Sequence, residues 1–171
     1  MNSVENLAVF DLDGTLWKEN SHYEILNSYF KTNFYKSFLF RLYRHFFKKS
    51  AYELICKKYE KIPKDYASSF LLSFNDEILM LLRQKQREGY CCIIVSNAPL
   101  EILSSAADAL NVPYLKAPIG KKKEVLDQNY AYKNLFVCTD NVEDIDLVEA
   151  SNSRKIIYTN ANKKFFASRG F

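Results

Sequence analysis

The sequence predicts a three-layer α/β domain, a parallel sheet of about five strands covered on both faces by helices, with a small α-helical unit inserted near its start. Short apolar runs that end in polar or acidic residues alternate with longer segments of helical periodicity, which is the pattern of successive βαβ units. One interval, Trp17 to about Ser73, breaks that alternation and is crowded with aromatic and basic side chains. Only four Gly and four Pro serve the 171 residues, and no linker, repeat or low-complexity tract divides the chain.

The expected strands are, in order, Leu7 to Phe10, Tyr90 to Val95, the weaker Tyr114-Leu115-Lys116, Leu135 to Cys138, and Lys155 to Tyr158. Between them, helices are expected over Asp76 to Glu88 (closed by Gly89), Leu100 to Leu110, Lys122 to Gln128 and Val142 to Ala150. A sheet of this kind presents its ligand site at the carboxyl ends of the strands. Residues 1–16 and 74–171 are therefore assigned to a Rossmann-like core and residues 17–73 to the helical insertion.

With 48% apolar side chains, the chain is long enough for one core and an appendage but not for two full-sized domains. A net charge of +4 is too small a bias to imply nucleic acid and suits a small phosphorylated substrate. Cys56, Cys91, Cys92 and Cys138 have no metal-type spacing and read as reduced core thiols. The first residues lack the pattern of a secretory signal, which gives a cytoplasmic expectation. Tyr29 to Lys49 is interrupted by Lys31, Lys36, Arg41 and Arg44, so it is not expected to span a membrane.

Chemistry is concentrated where the predicted strands end. Phe10-Asp11-Leu12-Asp13-Gly14-Thr15-Leu16 follows the first apolar run, and alternation in an extended chain puts Asp11 and Asp13 on one side before Gly14 turns the backbone. Two close carboxylates repel unless a cation intervenes, and hard oxygen donors suit magnesium. Ser96 and Asn97 end the strand Ile93-Ile94-Val95, and Asp140 and Asp144 follow Phe136-Val137-Cys138-Thr139.

The first run resembles the Asp-x-Asp-Gly-Thr motif of haloacid dehalogenase-like phosphatases, and matches it at every specified position. The resemblance implies Asp11 as nucleophile, forming an aspartyl-phosphate, and Asp13 as general acid and base. It also implies that Thr15, Ser96 and Asn97 help hold the phosphoryl group. Asp140, the Asp11 carboxylate and the Asp13 backbone carbonyl would ligate magnesium, with Asp144 orienting that shell. The family usually has Gly where this chain has Thr139.

A lysine should neutralise the phosphoryl oxygens, and Gly120-Lys121-Lys122-Lys123 supplies it. The Gly-Lys pair resembles phosphoserine phosphatase-like members and points to Lys121, whereas the spacing to Val125 points to Lys122. The sequence leaves both open. In the same branch a helical cap follows the first motif, and an acid a few residues into it grips the substrate's amino group. That position is Asn20 here, with Glu19 just before it, which argues against phosphoserine as the substrate.

The implied activity is magnesium-dependent hydrolysis of a small phosphomonoester. A phosphotransferase or phosphomutase, or a non-catalytic phosphate-binding module, are the alternatives. Asp13 argues against a dehalogenase, which has no alcohol leaving group to protonate. Within the insertion, Phe34, Phe38, Leu42 and Phe46 fall on one helical face, expected to form its core. Phe40 and Phe47 lie off that face near Lys36 and Arg44, and contact with a membrane surface is the lesser reading of this segment. His22 and His45 are read as surface or insertion residues without a role. Oligomeric state is not legible.

Overall fold

The computed structural model describes residues 1–171. Along the chain run β1 (Asn2–Ser3), β2 (Asn6–Phe10), α1 (Ser21–Tyr29), α2 (Phe38–Phe46), α3 (Lys48–Tyr59), α4 (Lys64–Ser69), α5 (Asp76–Arg87), β3 (Cys91–Ser96), α6 (Leu100–Leu110), β4 (Tyr114–Lys116), α7 (Lys122–Asn129), β5 (Tyr130–Ala131), β6 (Asn134–Thr139), α8 (Ile145–Ala150), β7 (Ser153–Ile156) and α9 (Lys163–Ala167). Short 3₁₀ turns occupy Phe34–Lys36 and Val142–Asp144. Five strands form a parallel sheet in the order β4-β3-β2-β6-β7, and β1 pairs with β5 in a separate two-stranded ribbon.

Alternation along the strands explains why they read as continuous apolar runs. Ala8, Phe10, Cys92, Ile94, Phe136 and Cys138 face one layer, where Ile78, Leu82, Ile102 and Ala106 of α5 and α6 close over them. Leu7, Val9, Ile93, Val95, Leu135 and Val137 face the other, against Leu126, Leu147, Val148 and Phe166 of α7 to α9. Both faces are buried, as a parallel sheet requires. Strand β2 is central, and Phe10 pairs with Ile94 on one side and Cys138 on the other, so the residues just past these three strands converge.

Two elements differ from the sequence expectation. The last strand begins at Ser153 and ends at Ile156, two residues earlier than its apolar pattern suggests, because its pairing to β6 runs from Phe136↔Ser153 to Thr139↔Ile156. It is an edge strand whose first three residues are exposed, so its sequence need not be apolar. The segment read as one helix from Val142 opens instead as a 3₁₀ turn through Asp144 before α8 begins.

Trp17 and Phe74 form an antiparallel bridge, and Asn75 N donates to Leu16 O at 2.7 Å, so the two ends of the stretch between them stand side by side. Helices α1 to α4 lie between. Ile25, Leu26, Tyr35, Phe40, Ile55 and Ala67 belong to the same apolar cluster as one face of the sheet, so these helices are packed onto the rest of the chain.

The aromatic segment is oriented opposite to expectation. Phe40 is 1% exposed, whereas Phe38, Leu42 and Phe46 are 68%, 43% and 68% exposed. Ser37 starts a new helix, its Oγ accepting from Phe40 N at 3.1 Å, so the phase extrapolated from Tyr29 does not carry through. Phe40 then meets the rings of Tyr23 and Tyr35 edge-on at 5.9 and 5.2 Å. We predict that Phe40→Ala destabilises the protein by about 3–5 kcal/mol, while Phe38→Ala changes stability by less than about 0.5 kcal/mol. Urea unfolding of the two variants tests this, and equal losses would contradict the observed orientation.

Candidate active site

Three strand ends and one helix start build the site. The backbone N of Asp11 donates to Cys138 O, which carries the chain one residue past β2 in register with β6 before the loop turns away. Asp11 itself is 5% exposed. Its Oδ1 accepts from Leu12 N at 2.8 Å and from Lys122 Nζ at 2.7 Å, while Oδ2 takes no hydrogen bond from the chain. Lys122, the first residue of α7, is 3% exposed and also reaches Asp144 Oδ2 at 2.8 Å. One buried ammonium thus serves two carboxylates.

Thr139 accounts for the position where Gly was expected. Its hydroxyl donates to Asp144 Oδ2 at 2.7 Å and accepts from Asn141 N at 3.0 Å, so it tightens the loop and fixes the carboxylate that holds the lysine. Asp140 lies over Gly14, where an added Cβ would stand 2.2 Å from Asp140 Oδ2, and Gly14 has φ of +74°. Both the contact and the backbone require glycine. Asn162 donates from Nδ2 to the Asp140 carbonyl, and this anchor holds the loop from below.

Asp11, Asp13, Ser96, Asn97, Lys122, Asp140 and Asp144 line one cavity of about 550 Å³, together with Glu19, Asn20 and His22. Ser96 Oγ accepts from Ala98 N at 3.2 Å, which leaves its own hydrogen free to donate into the cavity. Asp13 is turned toward α1, accepting from Ser21 N at 2.8 Å and Ser21 Oγ at 2.9 Å, with His22 Nδ1 3.6 Å away. Asn20 Oδ1 is a buried acceptor with no partner in the chain.

Two residues singled out from the sequence lie elsewhere. Lys121 points outward, 61% exposed, and pairs with Glu124, and Lys123 pairs with Asp127; helical phase turns only Lys122 inward. Thr15 is fully buried and spends its hydroxyl on Asp140, donating to Oδ1 at 3.3 Å and accepting from Asp140 N at 3.2 Å. It braces a carboxylate and does not face the cavity. Conversely, Ser21 and Asn162 escaped the sequence reading, Thr139 was noted there only as a departure from the family's Gly, and His22, read as having no role, lies beside Asp13. Only Ser21 carried a usable signal, as a small polar residue opening a helix soon after the acidic loop.

Burial pushes the Asp11 carboxyl up from 3.8 to about 7, with Asp144 and Asp140 adding to the rise and Lys122 opposing it. Burial likewise raises Asp140, against the Thr15 hydrogen bond. For Lys122 burial acts downward, but the carboxylates of Asp11 and Asp144 outweigh it and keep the ammonium charged. The site is therefore short of positive charge.

The donors fit a hard divalent cation. Asp11 Oδ2 is unengaged, the Asp13 carbonyl accepts no hydrogen bond, and Asp144 Oδ1 is buried without a partner. No three His, Cys, Asp or Glu side chains converge to enclose an ion by themselves. An ion that keeps several waters and takes only one or two carboxylates, as magnesium does, suits such a set.

A pH prediction follows from Asp11. In chelator, folding takes up a proton at this group between 3.8 and about 7. Its contribution to stability is then full below pH about 4 and lost as pH rises toward 7, because the native state binds the proton more tightly. Asp11→Asn lacks this titration, so the melting temperature of wild type relative to the variant should fall across that window. A difference independent of pH would contradict the burial effect.

Several solved structures share the architecture. A protein with unknown function from Bordetella pertussis Tohama I aligns over 98% of this chain and 97% of its own, at 16% identity and a TM-score of 0.65. A phosphoserine phosphohydrolase-like protein from Francisella tularensis subsp. tularensis SCHU S4 aligns over 88% of this chain and 84% of its own, at 17% identity and a TM-score of 0.59. A phosphoserine phosphatase solved as a phospho-aspartyl intermediate analogue aligns over 95% and 98%, at 12% identity and a TM-score of 0.58. At these identities the likeness is one of fold. Among curated proteins, none matches the chain in sequence. The family model described as haloacid dehalogenase-like hydrolase matches residues 8–143, the stretch that contains the ends of β2, β3 and β6 and the start of α7, and the chain belongs to that family.

Proposed function

We propose that this hydrolase is a magnesium-dependent phosphatase of small phosphomonoesters, with Asp11 as nucleophile and Asp13 as general acid and base. The observation that carries the reading is the ion pair of Lys122 with Asp11 Oδ1, which holds the carboxylate still while Oδ2 faces the cavity unengaged. Asp11 Oδ2 attacks phosphorus as the ester P–O bond breaks, and Asp13 in its acid form gives its proton to the departing alkoxide. Water then attacks phosphorus, Asp13 takes its proton, the bond to Asp11 breaks and inorganic phosphate leaves. Lys122 and the Ser96 hydroxyl meet the phosphoryl oxygens, with Asn97 beside them.

Asp11, Asp140 and the Asp13 carbonyl would hold magnesium, with Asp144 behind them. When bound, the ion supplies the positive charge the site lacks and stabilises the transferring phosphoryl group. Residues 17–73 act as the cap in this reading. The ties of Ser21 to Asp13 put the cap's first helix directly on the general acid. Glu19 and Asn20 are the substrate-selecting residues, and the unpartnered Asn20 Oδ1 favours a substrate that donates a hydrogen bond there. A non-catalytic phosphate-binding module is the alternative, and the position of Lys122 beside Asp11, with the Thr139 hydroxyl bracing Asp144, favours the catalytic reading.

Release of inorganic phosphate from a panel of small phosphomonoesters tests the reading. Magnesium-dependent release should be abolished by chelator, should fall by about 10⁴-fold or more in Asp11→Asn, and by about 10²–10⁴-fold in Asp13→Asn. Activity retained in Asp11→Asn would remove it as nucleophile. Gly14→Ala should displace Asp140, weakening magnesium binding by calorimetry and lowering turnover by about 10²-fold. Unchanged magnesium affinity would mean that Asp140 is not a ligand.

A further inference from the structure

Helix α2 carries an apolar stripe that covers nothing. Phe38, Leu39, Leu42 and Phe46 are 68%, 70%, 43% and 68% exposed, and Phe47 just beyond the helix is 58% exposed. At 100° per residue the four within the helix fill one sector of the wheel, with the buried Phe40 on the opposite side facing the protein and the half-buried Tyr43 at the border. A contiguous stripe of large side chains on an isolated chain marks an interaction site. No helix is long and apolar enough to cross a membrane, so the stripe is a surface feature.

The charge beside the stripe selects the occupant. From Tyr29 to Lys49 there are six Lys or Arg and no Asp or Glu. Lys36 is neutralised by Glu24, but Arg41, Arg44, Lys48 and Lys49 enter no ion pair. On the wheel Arg41 flanks the stripe, whereas Arg44 falls on the side of Phe40, where its guanidinium donates to the Tyr23 hydroxyl. Together with Lys48 and Lys49 they line a second cavity of about 630 Å³. That cavity shares Tyr23, Tyr52, Ile55 and Ile119 with the catalytic cavity, so the basic flank opens toward the mouth of the site.

A second copy of this chain would bring like charges together across a two-fold interface. A lipid surface with anionic headgroups satisfies both features at once, apolar side chains below the headgroups and cations level with them.

We propose that α2 docks this chain on anionic lipid bilayers, with Phe38, Leu39, Leu42 and Phe46 entering the headgroup boundary and Arg41, Lys48 and Lys49 meeting lipid phosphates. The docking stands on the surface alone and is independent of the chemistry assigned to Asp11. It would hold the catalytic mouth close to phosphorylated molecules at the membrane surface.

Cosedimentation of the full chain with vesicles tests this, using phosphatidylcholine alone or mixed with phosphatidylglycerol. The chain should sediment with the mixed vesicles, little with phosphatidylcholine, and less as salt is raised. The triple variant Phe38→Ser, Leu42→Ser, Phe46→Ser should lower partitioning by about tenfold or more. Arg41→Glu with Lys48→Glu should lower it by about fivefold or more. All these side chains are exposed, and melting curves of the variants matching wild type confirm that folding is intact. Absence of sedimentation with either vesicle, equal binding to both, or wild-type binding by the triple variant would overturn the proposal. So would a dimer that the triple variant dissociates in a chain that ignores vesicles, which would identify a second copy as the occupant.

Discussion

Everything in the site depends on one ammonium group. Lys122 Nζ, buried at the start of α7, lies 2.7 Å from Asp11 and 2.8 Å from Asp144, so it joins the end of β2 to the turn after β6. A buried lysine is tolerated only when carboxylates surround it, and buried carboxylates only when cations do. Burial raises the Asp11 pKa, and with two acids on one base the carboxylates of Asp144 and Asp140 add to the rise against the pull of Lys122. The frustration is local: Oδ1 is held by Lys122 and Leu12 N, whereas Oδ2 takes no hydrogen bond from the chain, as the proposed nucleophile requires.

The rest of the site keeps this arrangement from relaxing. Were Asp144 free to rotate, the lysine could swing toward it and release Asp11; the Thr139 hydroxyl fixes Asp144 at 2.7 Å. Were Asp140 free, it could compete for the same lysine; Thr15 and Asn162 hold its side chain and backbone, and the bare Gly14 leaves room for it. Carboxylates that would repel one another in water are held apart here by separate hydrogen-bond partners, with strands β2 and β6 setting the spacing.

The core was legible because each β-strand of a doubly covered parallel sheet must be apolar on both faces, and such runs are visible in sequence. The exception, β7, is an edge strand whose exposed Ser153, Arg154 and Lys155 carry no such signature. The acids of the site were legible for a related reason, since Asp11 and Asp140 sit directly after those runs. The lysine was not, because three consecutive lysines differ only in helical phase, and the phase of α7 is set by where Leu126 packs. Ser21 and Asn162 act through contacts across the fold that no local pattern announces. In the aromatic segment, the periodicity was real but its sign was not: five apolar rings can satisfy two opposite faces, and the side that packs is decided by Tyr23 and Tyr35, brought in from a different helix and turn.

That ambiguity has a physical consequence. A helix that needed only one apolar face for folding has two, and the surplus is confined to α2, whose first neighbour in the chain, α1, begins at the Ser21 that grips Asp13. Phe40 links the two helices through Tyr23, and Tyr23 also accepts from Arg44 while lining both cavities. The exposed stripe is therefore separated from Asp13 by one aromatic contact and one helix. Interfaces of this kind have discrete arrangements and do not bend continuously. Phe40 and Tyr23 are the contact through which the helix bearing the stripe packs on the helix that holds the Asp13 carboxylate.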